Sequence, residues 1–357
     1  MNNNEFNSDN ASLSVDLSEA RQAVKENRFQ DALDLFEIIL KNDPDHIDSL
    51  YLASVSSRYL KNFDESKALI ERLLLIAPDM GRAYQELGHI NRDMGNMEKA
   101  VIHYRQACEL NPALLASWNS LYKYFSENKN KPAADHAREQ IEKLQSLPPA
   151  LLYIDQIMNE GRLGVAETQC RAFLKNNPTH TYAMSLLSEI ANRLGYFDDA
   201  EFLLEKAVEF KPNDGDLRMK YAQILRKKQK FAKTLEQVNI LCDQYPDNHS
   251  YQAQKASEIM QNGDHEGAIK LLDNILQKNP YNFSSFTSKG HAQKTLGQTA
   301  QAIKSYQSAY KIKPDHGEAF FSLANLKTYS FSSEELNGMR QQVSRIDLSL
   351  RDKSYFH

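Results

Sequence analysis

The sequence predicts an all-α fold, an α-solenoid built from about nine to ten helical hairpins stacked side by side. Three observations lead there. Prolines recur every 34 residues, as Pro44, Pro78 and Pro112 and again as Pro178, Pro212, Pro246, Pro280 and Pro314. On that register nine small residues fall in one column: Ala32, Ser66, Ala100, Ala134, Ala166, Ala200, Thr234, Ala268 and Ala302. The composition is also rich in Ala, Leu, Glu, Lys and Gln, which favour helix over sheet. A fixed period of this length marks units that cannot bury their own apolar flanks and must stack.

The elements follow in order. "MNNNEFNSDNAS", residues 1–12, has no basic start and no apolar centre, so it reads as a short disordered lead rather than a secretory signal. Residues 13–148 hold repeats one to four and 149–316 hold repeats five to nine. Each repeat is expected to place a small residue at position 8 (Ala20, Ser54, Gly88, Ser188, Ala222, Ala256, Gly290) against the small column at position 20, so that two antiparallel helices approach closely. Tyr122 and Ile154 break the position-8 pattern. Bulky residues at position 24, such as Phe36, Ile70, Tyr104, Leu204 and Tyr306, fill the space beside them. Gly95, Gly161, Gly195, Gly263 and Gly297 at position 15 suit a turn that needs positive φ. The repeat proline ends the second helix, because it lacks an N–H and clashes with the preceding turn.

The two proline series are offset by 66 residues rather than 68, so two residues are missing between them. Pro132 sits at the start of a second helix, Ser146 stands where proline is due, and Pro148–Pro149 follow. A shortened or kinked pair and a subdomain joint near 148 are expected. Proteolysis should then nick 128–132 or 146–150 before 181–316.

Across 13–316 these columns resemble the tetratricopeptide repeat, with Trp118, the sole tryptophan, on that family's aromatic position 4. The resemblance implies a protein-binding scaffold whose first helices line a concave groove. Candidate groove residues at positions 9, 12 and 13 are Arg58, Tyr59, His89, Arg92, Arg193, Arg226, Lys227, His291 and Lys294. Together they form a broken cationic stripe that fits an acidic peptide. The plainer account of the same residues is that cations near helix C-termini offset the macrodipole.

Chemistry is sought elsewhere without success. No GxxxxGK[ST] or GxGxxG occurs, and "NGDHEGAIK", 262–270, matches the repeat's turn and second helix. His46, His180, His249 and His316 recur just after the repeat proline, as polar residues opening a helix, and no HExxH or paired Cys/His spacing exists. Cys108, Cys170 and Cys242 fall at core positions, and an odd, sparse set fits a reducing compartment. Neither a cofactor nor a metal is expected. A net charge of −4 speaks against nucleic acid as a partner, and no apolar run reaches the roughly 18 residues of a membrane helix. The expected location is cytoplasmic.

Residues 317–357 abandon the repeat. A tenth first helix starts with Phe320, Leu323 and Ala324 in register, and then Ser332 and Glu335 stand at capping-box spacing. Leu336, Met339, Val343 and Ile346 follow as one apolar stripe, predicting an amphipathic closing or docking helix. "GEAFFSLANLKTYSFSSEELNGMR", 317–340, closely resembles the junction at which bacterial sulfotransferases with tetratricopeptide repeats pass from array to catalytic domain. "LQSLPPALLYIDQIMNEGRLGVAETQCRAFLKNNPTH" and "GHAQKTLGQTAQAIKSYQSAYKIKP" resemble that family's repeats. The resemblance implies an arm that presents an acceptor to a domain transferring a sulfuryl group from 3′-phosphoadenosine 5′-phosphosulfate. The nucleotide loop of such a domain is not among these residues, so no catalytic or cofactor residue carries over. As it stands the chain is expected to be an interaction module rather than an enzyme. The alternative is a sulfotransferase whose catalytic half lies elsewhere.

Overall fold

The computed structural model describes residues 17–345, 348 and 350–356. The lead 1–12 and Ile346 of the apolar stripe lie outside them. The described residues are helical throughout, with no strand among them. They divide into two compact units, 1–173 and 174–357.

In the first unit helices pair as α1 (17–25) with α2 (Phe29–Asn42), α3 (Ile47–Tyr59) with α4 (Phe63–Ile76), α5 (Gly81–Asp93) with α6 (Met97–Leu110), and α7 (Leu115–Glu127) with α8 (Lys131–Gln145). The short α9 (Pro149–Asn159) follows, and the division falls inside α10 (Leu163–Asn176). The second unit pairs α11 (Thr181–Leu194) with α12 (Phe197–Phe210), α13 (Gly215–Lys227) with α14 (Phe231–Gln244), α15 (His249–Gln261) with α16 (His265–Lys278), and α17 (Phe283–Thr295) with α18 (Thr299–Ile312). It closes with α19 (Gly317–Ala324), α20 (Ser333–Val343) and α21 (Leu350–Phe356). In the first unit α2, α4 and α6 each touch the first helix that follows, and in the second unit α12, α14, α16 and α18 do so.

The small column explains the close pairing. All nine of its side chains are buried, from Ala32 to Ala302. Where the column carries serine the hydroxyl finds a partner: Ser66 Oγ donates to the Ser54 carbonyl at 2.8 Å. The bulky column is buried too, with Phe36, Ile70, Tyr104, Val238, Leu272 and Tyr306 shielded from solvent, each worth about 1.5–3 kcal/mol of transfer free energy. The three cysteines are buried thiols, Cys170 within that column and Cys108 and Cys242 one turn further on, and burial pushes Cys108 up to about 12.

The turn at position 15 needs a left-handed residue whether or not glycine is there. Five glycines take φ from 74° to 89°, and Asn27, Lys61, Lys129 and Gln229 take 54° to 67° at the same place in their repeats. Glycine therefore reports the turn but is not required for it. First helices open as the histidine pattern implies: His46 Nδ1 accepts from the Ser49 N–H and His180 Nδ1 from the Ala183 N–H.

At the irregularity, Pro132 lies in the first turn of α8, where its missing N–H is harmless, and α8 reaches 15 residues. The shortening falls on α9, at 11 residues. The C-terminal strip holds α19 against α18 by stacking Phe320 on Tyr310 at 4.5 Å. The capping box forms: Ser332 Oγ accepts from the Glu335 N–H and Glu335 Oε2 from the Ser332 N–H. No residue of α20 is buried: Leu336 is 41% exposed, while Met339 and Val343 of the stripe are half-buried. Helix α21 packs on α19, where the Gly317 N–H donates to Asp352 Oδ1 at 3.2 Å.

Candidate functional site

The first helices of successive repeats touch one another, α3 on α5 and α5 on α7 in one unit, α15 on α17 in the other. Positions 9, 12 and 13 project from that face, and the structure shows what each expected groove residue meets.

In the first unit the cations are matched by carboxylates. Arg58 is buried, its Nε 2.5 Å from Glu86 Oε1 and its Nη1 3.1 Å from Asp93 Oδ2. Arg92 Nη2 lies 2.8 Å from the other Asp93 oxygen. Glu86 is itself only 2% exposed, and burial pushes its carboxyl above the usual range against the pull of Arg58. These four charges cancel. Tyr59, 56% exposed, stacks on Phe29 with ring centroids 4.4 Å apart and lies under the Arg58 guanidinium. His89 Nδ1 is 2.7 Å from the Tyr104 hydroxyl. Burial first, then the charges of Arg58 and Arg92, lower His89 to about 4, so it is a neutral ring.

The second unit repeats part of this design. His291 Nδ1 is 2.9 Å from the Tyr306 hydroxyl, matching His89 and Tyr104 atom for atom. Arg193 Nε pairs with Glu189 at 2.9 Å, and Arg226 Nη1 with the buried Glu258 at 2.9 Å. Lys227 Nζ donates to Asn192 Oδ1 and stands 5.9 Å above the Phe197 ring. Lys294 is exposed and within ion-pair distance of no carboxylate among the described residues. The expected stripe is thus a row of cations, most with a carboxylate beside them, and the surplus rests on Lys227 and Lys294.

Sequence reasoning missed a cluster at the start of the array. Helix α9 lies against the first-helix face of earlier repeats in its own unit. Gln156 Nε2 donates to the Ala113 carbonyl at 3.0 Å, and the Gln156 carbonyl accepts from Asn111 Nδ2 at 3.1 Å. Glu160, with its side chain 4% exposed, brings Oε1 to 2.5 Å from Arg82 Nε. That contact is ionic rather than an aligned hydrogen bond, since Arg82 Nε and Glu160 Oε2 have no hydrogen-bond partner. Arg82 lies 4.7 Å over the Tyr51 ring. The only local sign in the sequence was the Pro148–Pro149 break.

A hairpin array with such columns is a helical-repeat protein. The family model for the tetratricopeptide repeat matches residues 81–114, 182–214 and 283–316. Those three stretches of the chain are therefore tetratricopeptide repeats. It is 24% identical over 192 residues to the DnaJ protein P58IPK homolog A of Oryza sativa subsp. japonica, covering 49% of this chain and 40% of that protein. It is 25% identical over 134 residues to the tetratricopeptide repeat-containing protein trd-1 of Caenorhabditis elegans, covering 37% of this chain and 16% of that one. The chain thus spans well under half the length of these curated relatives. Among solved structures, YrrB, titled a TPR protein with an unusual peptide-binding site, superposes with a TM-score of 0.42 at 16% identity, over 54% of this chain and 97% of that one. MamA does so at 0.41 and 16%, over 45% and 94%. No described helix is long and apolar enough to cross a membrane. The sulfotransferase resemblance rests on the quoted stretches of sequence alone.

Proposed function

We propose that the chain is a scaffold that holds an extended segment of a partner protein along its first-helix face, acting by binding rather than by catalysis. The observation that carries this reading is the division of labour in each repeat. The small and bulky columns are buried in stacking, while Tyr59, Lys227 and Lys294 stay exposed on the first-helix side, Tyr59 resting on Phe29 and Lys227 beside Asn192. An exposed aromatic and two surplus cations favour a segment with acidic and apolar residues.

A fluorescein-labelled peptide of alternating Glu and Leu, followed by anisotropy, tests it. Lys227→Glu with Lys294→Glu should weaken binding about tenfold, and added salt should shrink the difference. Equal affinity of wild type and double variant refutes the acidic preference. The resemblance of 317–340 to a sulfotransferase junction adds a setting, in which the array presents an acceptor beside a sulfuryl-transfer domain. A sulfotransferase with its catalytic half elsewhere is the second reading, and no contact in the fold favours it.

A further inference from the structure

Helix α9 does more than fill a break in the period. With the turn after it, α9 lines one side of a cleft of about 390 Å³ whose other sides come from α1, α3 and α5. Four cations line it: Arg21 and Lys25 from α1, Arg82 from α5, and Arg162 from the turn after α9. Arg21 pairs with Asp48, and Arg82 with Glu160. Lys25 and Arg162 are exposed, and neither is within ion-pair distance of a carboxylate among the described residues. Four positive charges against two negative leave a surplus of two, held on two different walls of one cleft. The remaining lining is the Asp48 carboxylate that answers Arg21, together with the aromatic and apolar side chains of Tyr51, Tyr153, Val24 and Leu52.

We propose that this cleft binds a dianionic phosphate monoester carried on an apolar or aromatic group. One phosphate at neutral pH carries a charge of about −1.5 to −2 and offers three acceptor oxygens, enough to answer Lys25 and Arg162 together. A monocarboxylate would leave one of them unanswered. The volume lies within the roughly 300–1,000 Å³ of small-molecule pockets, more than a bare oxyanion needs. The organic part then rests on Tyr51 and Tyr153. Arg82 stays neutralised by Glu160 and stacked on Tyr51, which fixes the floor of the cleft rather than supplying the charge. The site lies on the first-helix side of its own unit, as Tyr59 does, and deepens the partner-binding reading with a specific ligand chemistry.

The test is calorimetric titration of phenyl phosphate into the full chain at constant ionic strength, with benzoate and phenol as comparison ligands. Phenyl phosphate should saturate, benzoate should bind about tenfold more weakly, and phenol should not bind. Lys25→Glu and Arg162→Glu, both exposed positions, should each weaken phenyl phosphate about tenfold with helix content unchanged, while Arg162→Lys should retain binding. Unsaturable binding, or either Glu variant binding phenyl phosphate as tightly as the wild type, overturns the proposal. A peptide with one phosphotyrosine among neutral residues separates two sources of the ligand. Tighter binding than phenyl phosphate points to a modified protein segment, and equal binding to a free small molecule, and either outcome keeps the site. Lys227→Glu and Lys294→Glu should leave phenyl phosphate binding unaltered, so failure of the groove reading and failure of this one are told apart.

Discussion

Gly88→Ala sets two known effects against each other inside one repeat. Alanine in a helix interior gains about 1 kcal/mol over glycine in intrinsic propensity. At Gly88, however, an added Cβ would lie 2.5 Å from Tyr104 Cε1 and 2.6 Å from Cδ1. Ordinary carbon contacts lie at about 3.5–4.0 Å, so the ring must retreat by about 1 Å. Tyr104 has nowhere to go, being fully buried and held by its hydroxyl to His89 at 2.7 Å. Overpacking of this kind costs about 1–3 kcal/mol, and breaking the hydrogen bond adds about 0.5–1.5 kcal/mol. After the propensity gain, a net loss of about 0.5–3.5 kcal/mol remains. Gly290→Ala is a built-in duplicate, with Tyr306 Cε1 at 2.5 Å. Gly338→Ala in α20 is the control, since nothing lies within 4 Å of its Cβ, and it should stabilise by up to about 1 kcal/mol. Urea denaturation followed by circular dichroism at the helix band reads all three. The account fails if Gly88→Ala is as stable as wild type or shifts in step with Gly338→Ala. Tyr104→Leu in the Gly88→Ala background should recover part of the loss by making room.

Further expectations concern charge and turns. Glu86→Ala leaves the buried Arg58 with only Asp93, and should destabilise by about 3 kcal/mol in urea; a loss under about 1 kcal/mol would show the pair to be dispensable. His89 titrates near 4 when folded and near 6.5 when unfolded, so unfolding takes up a proton in between. Its contribution is therefore complete above about pH 6.5 and lost as pH falls toward 4, up to about 3 kcal/mol, and His89→Gln should flatten the stability curve across that window. Gln229→Gly at a left-handed turn (φ 58°) should raise the urea midpoint by about 0.5–1 kcal/mol equivalent, whereas Gln229→Val should lower it.

What the sequence revealed depended on how local the cause was. The column from Ala32 to Ala302 was legible because close helix pairing tolerates only small side chains, and the same demand recurs in every repeat. The α20 cap was legible because Ser332 and Glu335 satisfy each other's backbone N–H groups within one turn. The turn column was half legible: glycine marks five turns, but Lys61 and Gln229 adopt the same conformation unmarked. Cations of the stripe were visible, and their partners were not, because Arg58 meets Glu86 28 residues away and Arg226 meets Glu258 32 residues away. A search for opposite charges separated by nearly one repeat would have found both. Helix α9 left only its prolines as a sign, since Arg82 and Glu160 sit in no shared period. Helix α21, seven residues long, was too short for periodicity to register.

The seating of α9 has a mechanical side. A row of hairpins pulled by its ends gives way one hairpin at a time, each held only by its neighbours. Here the contact from Arg82 to Glu160, reinforced by Asn111 and Gln156, clasps the intervening stretch into a loop shielded from tension. Under an optical trap that stretch would stay silent until the clasp slips, then lengthen in a single step of up to about 3.3–3.6 Å per released residue.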